Sequence, residues 1–328
     1  MKKIIGLGNA LVDIMTQLHT DSTLVDLNFP KGSMQLVDDL TSTSIDQKTS
    51  GMSKSMSAGG SAANTINGLA NLGLQTSFIG KVGKDELGDL FGSDMNENNI
   101  SPKLLTGKTG SGRAIGLISP DTERTFATYL GAAIELGPED LSEELFSGYG
   151  MLHIEGYLVQ NQALVKKAVQ LAKALNLIVS IDLASFNVVA NNKEFLHEII
   201  RDYVDVVFAN EEEAKAFTNL SPEEALNYIS NLCEIAIVKL GPNGSLIKKN
   251  HEQHKVGVIQ VNPLDTTGAG DLYASGFLYG LVKGLPLNKC GEIGAVLSGH
   301  VIEVIGSKMD QKKWELIREK VSKIEKRN

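Results

Sequence analysis

The sequence predicts a doubly wound α/β fold, in which helices cover both faces of a mostly parallel sheet, with a small β-sheet lid beside it. Strand and helix patterns alternate from residue 138 to residue 261, which is typical of parallel strands joined by right-handed crossovers. Glycine-rich turns lead into helical patterns at residues 58–65 and 262–271. Two β-rich segments stand outside the alternating part, so we expect a core of residues 1–12, 52–99 and 131–328 and a lid of residues 13–51 and 100–130.

The composition is typical of a globular enzyme. The chain has 328 residues, 42% of them hydrophobic and 21% charged, which allows one large α/β domain and a smaller element. The formal net charge of −8 argues against nucleic acid or an anionic membrane as a main partner, because both require clustered Lys and Arg. The two cysteines form no Cys-x-x-Cys pair, and no apolar stretch is long enough to span a bilayer. We therefore expect a cytoplasmic protein.

The first strand is expected at Lys2–Leu7, an apolar run that ends in Gly6-Leu7-Gly8-Asn9-Ala10-Leu11. This run is close to a dinucleotide-binding fingerprint, but Leu11 stands at the third glycine position and no clear helix follows. An NAD-dependent oxidoreductase is therefore the weaker interpretation. Ligands of open α/β sheets bind outside the carboxyl ends of the strands, which makes Asn9 and Asp13 candidates for substrate binding. The alternative for Asp13 is an exposed residue that starts a loop.

The predicted lid contains little helical signal between residues 14 and 57. Short strands are expected at Ile14–Leu18, Met34–Val37, Arg113–Ser119 and Arg124–Tyr129. The last two are joined by Pro120-Asp121-Thr122-Glu123, which is a plausible hairpin turn. We expect these segments to form one small antiparallel sheet outside the main domain. Because a small isolated sheet is only marginally stable, the lid should pack on the core, on substrate or on a second copy of the chain. This leaves a monomer and a lid-mediated homodimer as alternatives.

After the lid segment, Gly59 and Gly60 open a helix predicted at Ser61–Leu72. The two glycines allow the backbone to approach a ligand closely. Asn64 lies in the first turn, where its amide is suited to hydrogen-bond a hydroxyl. The alternative is an ordinary polar residue at a helix start. A strand at Thr76–Gly80 and an amphipathic helix at Asp85–Asn98 follow.

In the alternating part, polar and aromatic side chains follow the predicted strands. Strands are expected at Met151–Ile154, Leu177–Asp182, Val204–Ala209, Ile235–Lys239 and Ser245–Lys248, and helices at Pro138–Phe146 and Asn161–Leu175. Tyr157 falls at a carboxyl end, where it is placed to pack against a flat ligand or, alternatively, to cover the next helix. Asn210 and Glu213 follow the third of these strands. The alternative for Glu213 and the two glutamates before it is that they enrich the first turn of a helix in negative charge.

The stretch from Asn262 to Asp271 is the strongest candidate for chemistry. It lies between a β-rich run, Val256–Val261, and a helical pattern, Leu272–Lys283. Glycines and a helix start present unpaired N–H groups and the positive end of the helix dipole, which suits a phosphate. A carboxylate beside a phosphate is repelled, so Asp271 is better explained as a general base. The alternative is a glycine-rich turn capped by an aspartate.

Two motifs together resemble the signatures of the ribokinase, or PfkB-type, carbohydrate kinase family. They are Gly59-Gly60-Ser61-Ala62-Ala63-Asn64-Thr65, early in the chain, and Asp265-Thr266-Thr267-Gly268-Ala269-Gly270-Asp271, late in it. Two further segments, Gly8–Ile14 and Thr128–Ala133, are similar to the adenosine-kinase branch. The resemblance covers nearly the whole chain. It implies a ribokinase-like fold and ATP-dependent phosphorylation of a primary hydroxyl, with the 5′-hydroxyl of adenosine as the expected acceptor.

The resemblance also implies roles for individual residues. Asp271 would remove the proton, and Gly268, Ala269 and Gly270 would stabilise charge at the γ-phosphate. The expected substrate-binding residues are Asn9, Asp13, Gly59, Gly60, Asn64 and Tyr157. Asp13 would accept hydrogen bonds from two sugar hydroxyls, and Tyr157 would pack against the base.

The cofactors implied by the resemblance are ATP, Mg²⁺ and K⁺. The expected ATP-binding residues are Asn210, Lys239, Gly241, Gly244, Thr266 and Ala295. Glu213 completes an Asn-x-x-Glu motif that would bind Mg²⁺ through water, which suits an ion that keeps several waters. A monovalent-cation site would use Asp265, Thr267, Val301, Val304 and Gly306, for which the alternative is simple packing. The last helices are expected at Asn288–Ile305 and Gln311–Lys326.

Several other functions remain as alternatives. A P-loop kinase is disfavoured, because Gly80-Lys81-Val82 lacks the following Ser or Thr and the glycine spacing. Ribokinase, fructokinase or another sugar kinase of the same family is the main alternative to a nucleoside kinase. A non-catalytic nucleoside-binding protein on the same fold is a further one, because a fold does not fix a function. The intact Gly268-Ala269-Gly270-Asp271 argues against it.

Overall fold

The structure is a computed structural model that describes residues 3–121 and 123–327. The strands are β1 (Ile4–Leu7), β2 (Leu11–Gln17), β3 (Met34–Leu36), β4 (Lys54–Gly59), β5 (Thr76–Val82), β6 (Ile100–Thr106), β7 (Gly112–Ile118), β8 (Arg124–Tyr129), β9 (Met151–Glu155), β10 (Ile178–Asp182), β11 (Val206–Asn210), β12 (Ile235–Lys239), β13 (Ser245–Lys249) and β14 (Glu252–Val256). The α-helices are α1 (Ser22–Leu27), α2 (Asp39–Lys48), α3 (Ser61–Asn71), α4 (Glu86–Glu97), α5 (Glu143–Phe146), α6 (Gln162–Ala174), α7 (Phe186–Asn191), α8 (Lys193–Tyr203), α9 (Glu211–Thr218), α10 (Pro222–Ile229), α11 (Ala269–Val282), α12 (Leu287–Val301) and α13 (Gln311–Lys326).

The larger sheet has nine strands within the described residues, in the order β14-β13-β12-β11-β10-β9-β1-β5-β6. The seven strands that run across the sheet from β12 to the edge strand β6 all pair in parallel. Strand β13 pairs antiparallel with both of its neighbours, β12 and β14. Side chains alternate between two buried clusters: Ile4 lies in one, Ile5 and Leu7 in the other. Helices α3, α11 and α12 pack on one face, and α6, α8 and α10 on the other. The predicted doubly wound fold is confirmed.

The smaller sheet has five strands within the described residues, in the order β3-β8-β7-β2-β4. Strands β7 and β8 pair as an antiparallel hairpin, as expected, although Thr122 of its turn lies outside the described residues. Helices α1 and α2 pack on this sheet through Leu24 and Ile45, which share a buried cluster with Ile115 and Leu117. The sheet is mixed rather than antiparallel, because β2 pairs with β7 in parallel.

Some segments belong to a different sheet from the one that the sequence predicts. Strand β6, predicted in the lid, is the edge of the larger sheet, where Ile100 pairs with Thr76. It belongs there because α4 forms a parallel crossover between β5 and β6. Strands β2 and β4 extend the smaller sheet to Leu11 and Gly59, beyond the predicted lid boundaries. The division of the chain into core and lid otherwise stays a prediction.

Other differences are local. The run Val256–Val261 is not a strand beyond Val256, because its partner strand begins at Ser245, the residue paired with Val256. The helix predicted at Pro138–Phe146 is a 3₁₀ turn, Pro138–Asp140, followed by α5. Helix α2 was not predicted, because its apolar residues form no stripe: Ile45 is buried, whereas Leu40 is exposed. Across residues 3–121 and 123–327, no helix is both long and apolar enough to cross a membrane.

Candidate active site

Asp271 lies where the N-termini of two helices meet. It is in the first turn of α11, which begins after Gly268, a glycine with φ of 74° in the left-handed region. Its Oδ1 accepts a hydrogen bond from the Ser61 hydroxyl at 2.7 Å, and its Oδ2 accepts one from Asn64 Nδ2 at 3.0 Å. Both donors lie in the first turn of α3. The predicted base and the predicted asparagine are therefore in direct contact.

Burial raises the pKa of Asp271 to about 6, even though the Ser61 and Asn64 donors act in the opposite direction. Lys239 also lowers this pKa, whereas the neighbouring Asp182 raises it. A carboxylate with this pKa is ionised at neutral pH and holds a proton more strongly than an exposed aspartate. These are the properties that general-base catalysis requires.

Glu155, at the carboxyl end of β9, holds the predicted substrate residue Asn9 in place. Its Oε1 accepts the Asn9 backbone N–H at 2.9 Å and Asn9 Nδ2 at 2.6 Å, and its Oε2 accepts the Ala62 N–H at 3.1 Å. Burial raises the pKa of Glu155 to about 7, and these donors oppose that rise. Glu155 thus fixes the donor end of the Asn9 amide, and the role of this residue toward a substrate stays a prediction.

Asp13 lines the cavity, and its carboxylate accepts no hydrogen bond from the described residues. Asp13 lies on β2 so close to Gly59 of β4 that a Cβ atom on residue 59 would overlap the Asp13 carboxylate. Gly60, the next residue, has a φ of 95° that favours glycine. Burial raises the pKa of Asp13 to about 7, and Lys308 lowers it. The arrangement suits a carboxylate that accepts hydrogen bonds from substrate hydroxyls.

Lys239, the last residue of β12, lies beside Asp182 at the end of β10 and Glu213 in the first turn of α9. Its Nζ donates to Asp182 Oδ2 at 2.6 Å and lies 3.0 Å from the position that a Cβ on Gly270 would take. Burial lowers the pKa of Lys239, but Asp182 and Glu213 outweigh that effect and the net pKa is raised. A permanent cation therefore lies beside the glycine turn, where a phosphate would be expected.

Asn210 and Glu213 form a capping box at the start of α9. The Asn210 side chain accepts the Glu213 N–H at 2.8 Å, and Glu213 accepts the Asn210 backbone N–H at 2.8 Å and Nδ2 at 2.7 Å. The described residues contain no group of three or more His, Cys, Asp or Glu side chains suited to holding a metal. Glu213 is nearly fully buried beside Asp182 and fits Mg²⁺ held mainly by phosphates and water, with the carboxylate as an outer partner.

Asp265 does not present a free carboxylate to a monovalent cation. Its Oδ1 accepts the Thr267 N–H at 2.9 Å and pairs with Arg124, and its Oδ2 accepts the Gly306 N–H at 2.6 Å. Arg124 lies on β8, so this ion pair joins the smaller sheet to the glycine turn. Because the guanidinium already supplies the positive charge, the expected K⁺ site does not fit a cation in this arrangement.

One cavity of about 750 Å³ contains most of the expected acceptor residues. Its lining includes Asn9, Asp13, Gly60, Asn64, Tyr157, Asn210, Glu213, Lys239, Thr267, Gly268, Gly270, Asp271 and Gly306. Strands β3 and β8 of the smaller sheet and the residue that follows β8 add apolar side chains to the lining, among them Met34, Leu36, Phe126 and Leu130. This volume lies within the range of small-molecule sites, and the cavity is large enough to take more than a sugar.

Other expected residues lie outside the lining of this cavity. Gly241 and Gly244 belong to the turn between β12 and β13, and Ala295 is buried in α12. Val301 is buried at the end of that helix, and its carbonyl accepts the Val304 N–H at 3.1 Å. Thr266 and Ala269 contribute backbone to the glycine turn, since the Ala269 N–H donates to the Thr266 carbonyl at 3.1 Å. The roles of these residues toward ATP stay predictions.

Several residues of the site were not expected from the sequence. They are Ser61, Arg124, Glu155, Asp182, Ser307 and Lys308. Glu155 and Asp182 each end a parallel strand, so the same rule that found Asp13 was available for both. Ser61 lies within the glycine-rich motif at the start of α3, although no role was expected for it. Arg124, Ser307 and Lys308 contact the site through partners far away in the chain, and no local pattern marks them.

Comparison with known proteins gives a consistent result. The family model described as pfkB family carbohydrate kinase matches residues 32–314. Among curated proteins, a 5-dehydro-2-deoxygluconokinase of Geobacillus thermodenitrificans is 29% identical over 262 residues, which is 74% of this chain and 78% of that protein.

Two crystal structures resemble nearly the whole chain. A probable sugar kinase from Rhizobium etli superposes with a TM-score of 0.87 at 33% identity, covering 97% of this chain and 98% of that one. The adenosine kinase from Sinorhizobium meliloti gives a TM-score of 0.86 at 32% identity, covering 97% and 99%. The relatives thus include proteins named for a sugar, for a sugar acid and for a nucleoside.

Proposed function

The chain belongs to the PfkB family of carbohydrate kinases, and we propose that it transfers the γ-phosphate of ATP to the 5′-hydroxyl of adenosine or a close purine nucleoside. As a member of this family it is a phosphotransferase that acts on an alcohol group of a small sugar or nucleoside. One observation carries the choice of substrate: a single cavity contains both Asp271 and an apolar wall that a free sugar does not need.

In this proposal Asp271 takes the proton of the attacking hydroxyl. The new bond forms between the hydroxyl oxygen and the γ-phosphorus, the bond from the γ-phosphorus to the bridging oxygen breaks, and ADP leaves. The N–H groups of Gly268, Ala269 and Gly270 at the start of α11 stabilise the charge on the transferred group. Ser61 and Asn64 hold the carboxylate so that one of its lone pairs can face the substrate.

The charges around the cavity favour a neutral acceptor. Two lysines line it, and each is paired: Lys239 with Asp182 at 2.6 Å, and Lys308 with Asp94 at 3.2 Å. Five acidic side chains also line it: Asp13, Glu155, Asp182, Glu213 and Asp271. A sugar acid or a sugar phosphate would have to draw a lysine away from its carboxylate, whereas a nucleoside would not. Asp13 remains available for ribose hydroxyls.

The wall of the cavity supports a flat, apolar group on the substrate. Tyr157 lies in the turn after β9, and burial raises its pKa to about 12, so its ring stays neutral. Met34, Leu36 and Phe126 line the lid side of the same cavity, and Met34 and Leu36 are largely exposed without a ligand. A purine base between these surfaces would bury them, which ribose or fructose cannot do.

ATP is expected to reach Asp271 from the side of Lys239 and Asn210. Mg²⁺, when bound to the phosphates, would neutralise part of their charge, with Glu213 as a partner through water. Arg124 would bring a further positive charge from the lid to the glycine turn. Closure of the lid would also exclude water, which otherwise competes with the acceptor for the γ-phosphate.

An acceptor panel tests the proposal. ADP release is followed with purified protein, ATP and Mg²⁺, and with adenosine, other nucleosides, ribose, fructose, a fructose phosphate or 5-dehydro-2-deoxygluconate as acceptor. We expect the highest kcat/KM with adenosine or a related purine nucleoside. Faster phosphorylation of ribose, of a fructose phosphate or of the sugar acid would overturn the choice of substrate and leave the kinase activity standing. Binding without ADP release for every acceptor would instead indicate a non-catalytic nucleoside-binding protein.

A further inference from the structure

Three consecutive residues after α12 contact three different parts of the site. The Gly306 N–H donates to Asp265 Oδ2 at 2.6 Å, at the start of the glycine turn. The Ser307 hydroxyl donates to Asn64 Oδ1 at 2.8 Å, on α3. Lys308 Nζ pairs with Asp94 on α4 at 3.2 Å. Of these contacts, that of Ser307 leads directly to the base.

We propose that Ser307 is a positioning residue for phosphoryl transfer, because its hydroxyl fixes the orientation of the Asn64 amide that holds Asp271. The proposal rests on the kinase function given above. Ser307 and Asn64 are both almost completely buried, so water does not readily replace either partner. The contact spans 243 positions of the chain and has no role in secondary structure.

The chemistry of an amide makes this contact directional. A primary amide has an acceptor end, Oδ1, and a donor end, Nδ2. When the Ser307 hydroxyl donates to Oδ1, the Nδ2 of Asn64 is turned toward Asp271 Oδ2, which it contacts at 3.0 Å. Without Ser307, Oδ1 loses this donor and the amide is free to rotate. The carboxylate then loses one of the two side-chain donors that set its direction.

Ser307 also packs against the phosphate side of the site. Its Cβ lies 2.9 Å from the position that a Cβ on Gly268 would take. The residue thus touches the glycine turn on one side and the asparagine on the other. A purely structural role would act through this packing, and a positioning role would act through Asn64, so the two roles are separable by mutation.

The pH dependence of the reaction offers a second readout. Asp271 is ionised when it acts as a base, and the Asn64 donor lowers its pKa. Loss of a fixed donor would raise that pKa, so the acid limb of the kcat profile would move to higher pH. The Ser307 substitution leaves the other titratable residues around Asp271 in place. They are Asp13 on β2, Glu155 on β9, Tyr157 after it, Asp182 on β10 and Lys239 on β12.

A double-mutant cycle tests the proposal with the full chain and the acceptor that wild type phosphorylates fastest. We expect Ser307→Ala to lower kcat by about tenfold, the effect of one lost hydrogen bond, with a smaller change in KM. In the Asn64→Ala background, the same substitution should change kcat by less than about twofold, because the partner is already absent. Ser275→Ala is the matched control, because the Ser275 hydroxyl is buried and has no partner among the described residues.

The outcomes are distinct. A loss of kcat that is seen in the wild-type background but not in the Asn64→Ala background, with the acid limb moved to higher pH, supports the proposal. An equal loss in both backgrounds, or none, overturns it. If thermal unfolding shows that Ser307→Ala is misfolded, Ser307→Cys is measured in the same cycle, since a thiol fills a similar space and is a weak donor. Wild-type protein that phosphorylates no acceptor would refute the proposed function itself, which is a different result.

Discussion

The acceptor end and the nucleotide end of this site differ in how they are built. At the acceptor end, Ser61 and Asn64 of α3 donate to the Asp271 carboxylate of α11, and Glu155 of β9 accepts the Ala62 N–H. At the nucleotide end, Asn210 and Lys239 line the cavity, whereas other expected residues, such as Gly241 and Gly244, are turn positions outside its lining. The comparison suggests that the acceptor end is formed in advance and that ATP and Mg²⁺ complete the other end.

The largest effect should come from the base itself. Asp271→Asn keeps the shape of the side chain and removes its affinity for a proton, so we expect kcat to fall roughly 100- to 10,000-fold. Acceptor affinity should change far less. Asp205→Asn is a matched control, because Asp205 pairs with Lys173 away from the cavity. A kcat of Asp271→Asn near the wild-type value would show that the acceptor end is not organised around this residue.

A second substitution tests the apolar wall. Tyr157→Ala should weaken binding of adenosine by about 1–3 kcal/mol, by analogy with aromatic side chains that stack on bases. Any affinity for ribose should stay nearly constant, because ribose has no base. Tyr228→Ala is the control, since Tyr228 is exposed on α10 away from the cavity. Equal losses for adenosine and ribose, measured by calorimetry, would assign Tyr157 to the frame of the site instead.

The pH dependence of kcat for the wild-type protein tests whether Asp271 is the base. Asp271 must be deprotonated to act, and burial raises its pKa to about 6. We therefore expect kcat to be constant at neutral pH and to fall by about tenfold per pH unit below that pKa. The residual activity of Asp271→Asn should lack this limb. A wild-type profile that stays flat from about pH 5 to pH 8 would contradict the assignment of the base.

The smallest effect concerns the nucleotide end. Because Arg124 already pairs with Asp265, we expect similar rates when potassium, sodium or a bulky organic cation is the only monovalent cation. The rates are compared at constant ionic strength, because salt screens the charges at the site. A rate that depends on potassium would restore the cation site expected from the sequence and would mean that Arg124 leaves Asp265 during the reaction.

The sequence predicted the fold, and for identifiable physical reasons it indicated candidate residues that the structure brings to one cavity. Asp13, Asn64 and Asp271 each follow a strand end or a glycine turn, and such positions face the ligand side of a parallel sheet. Ser307 was missed because it follows a helix in an irregular segment and its partner is 243 positions away. The pairing of Asp182 with Lys239 was missed because a strand-end acid alone does not reveal the charge beside it. Helix α1 was missed because six residues are too few to show a helical period, and α2 was missed because its apolar residues are few.

The most direct test of the account is a calorimetric titration of protein that contains no nucleotide. If the acceptor end is formed in advance and is built for a neutral nucleoside, adenosine should bind with one site per chain in the absence of ATP. Under the same conditions, 5-dehydro-2-deoxygluconate should bind far more weakly, because both lysines at the cavity are already paired. Tighter binding of the sugar acid, or no binding of adenosine until a nucleotide is added, would contradict the account.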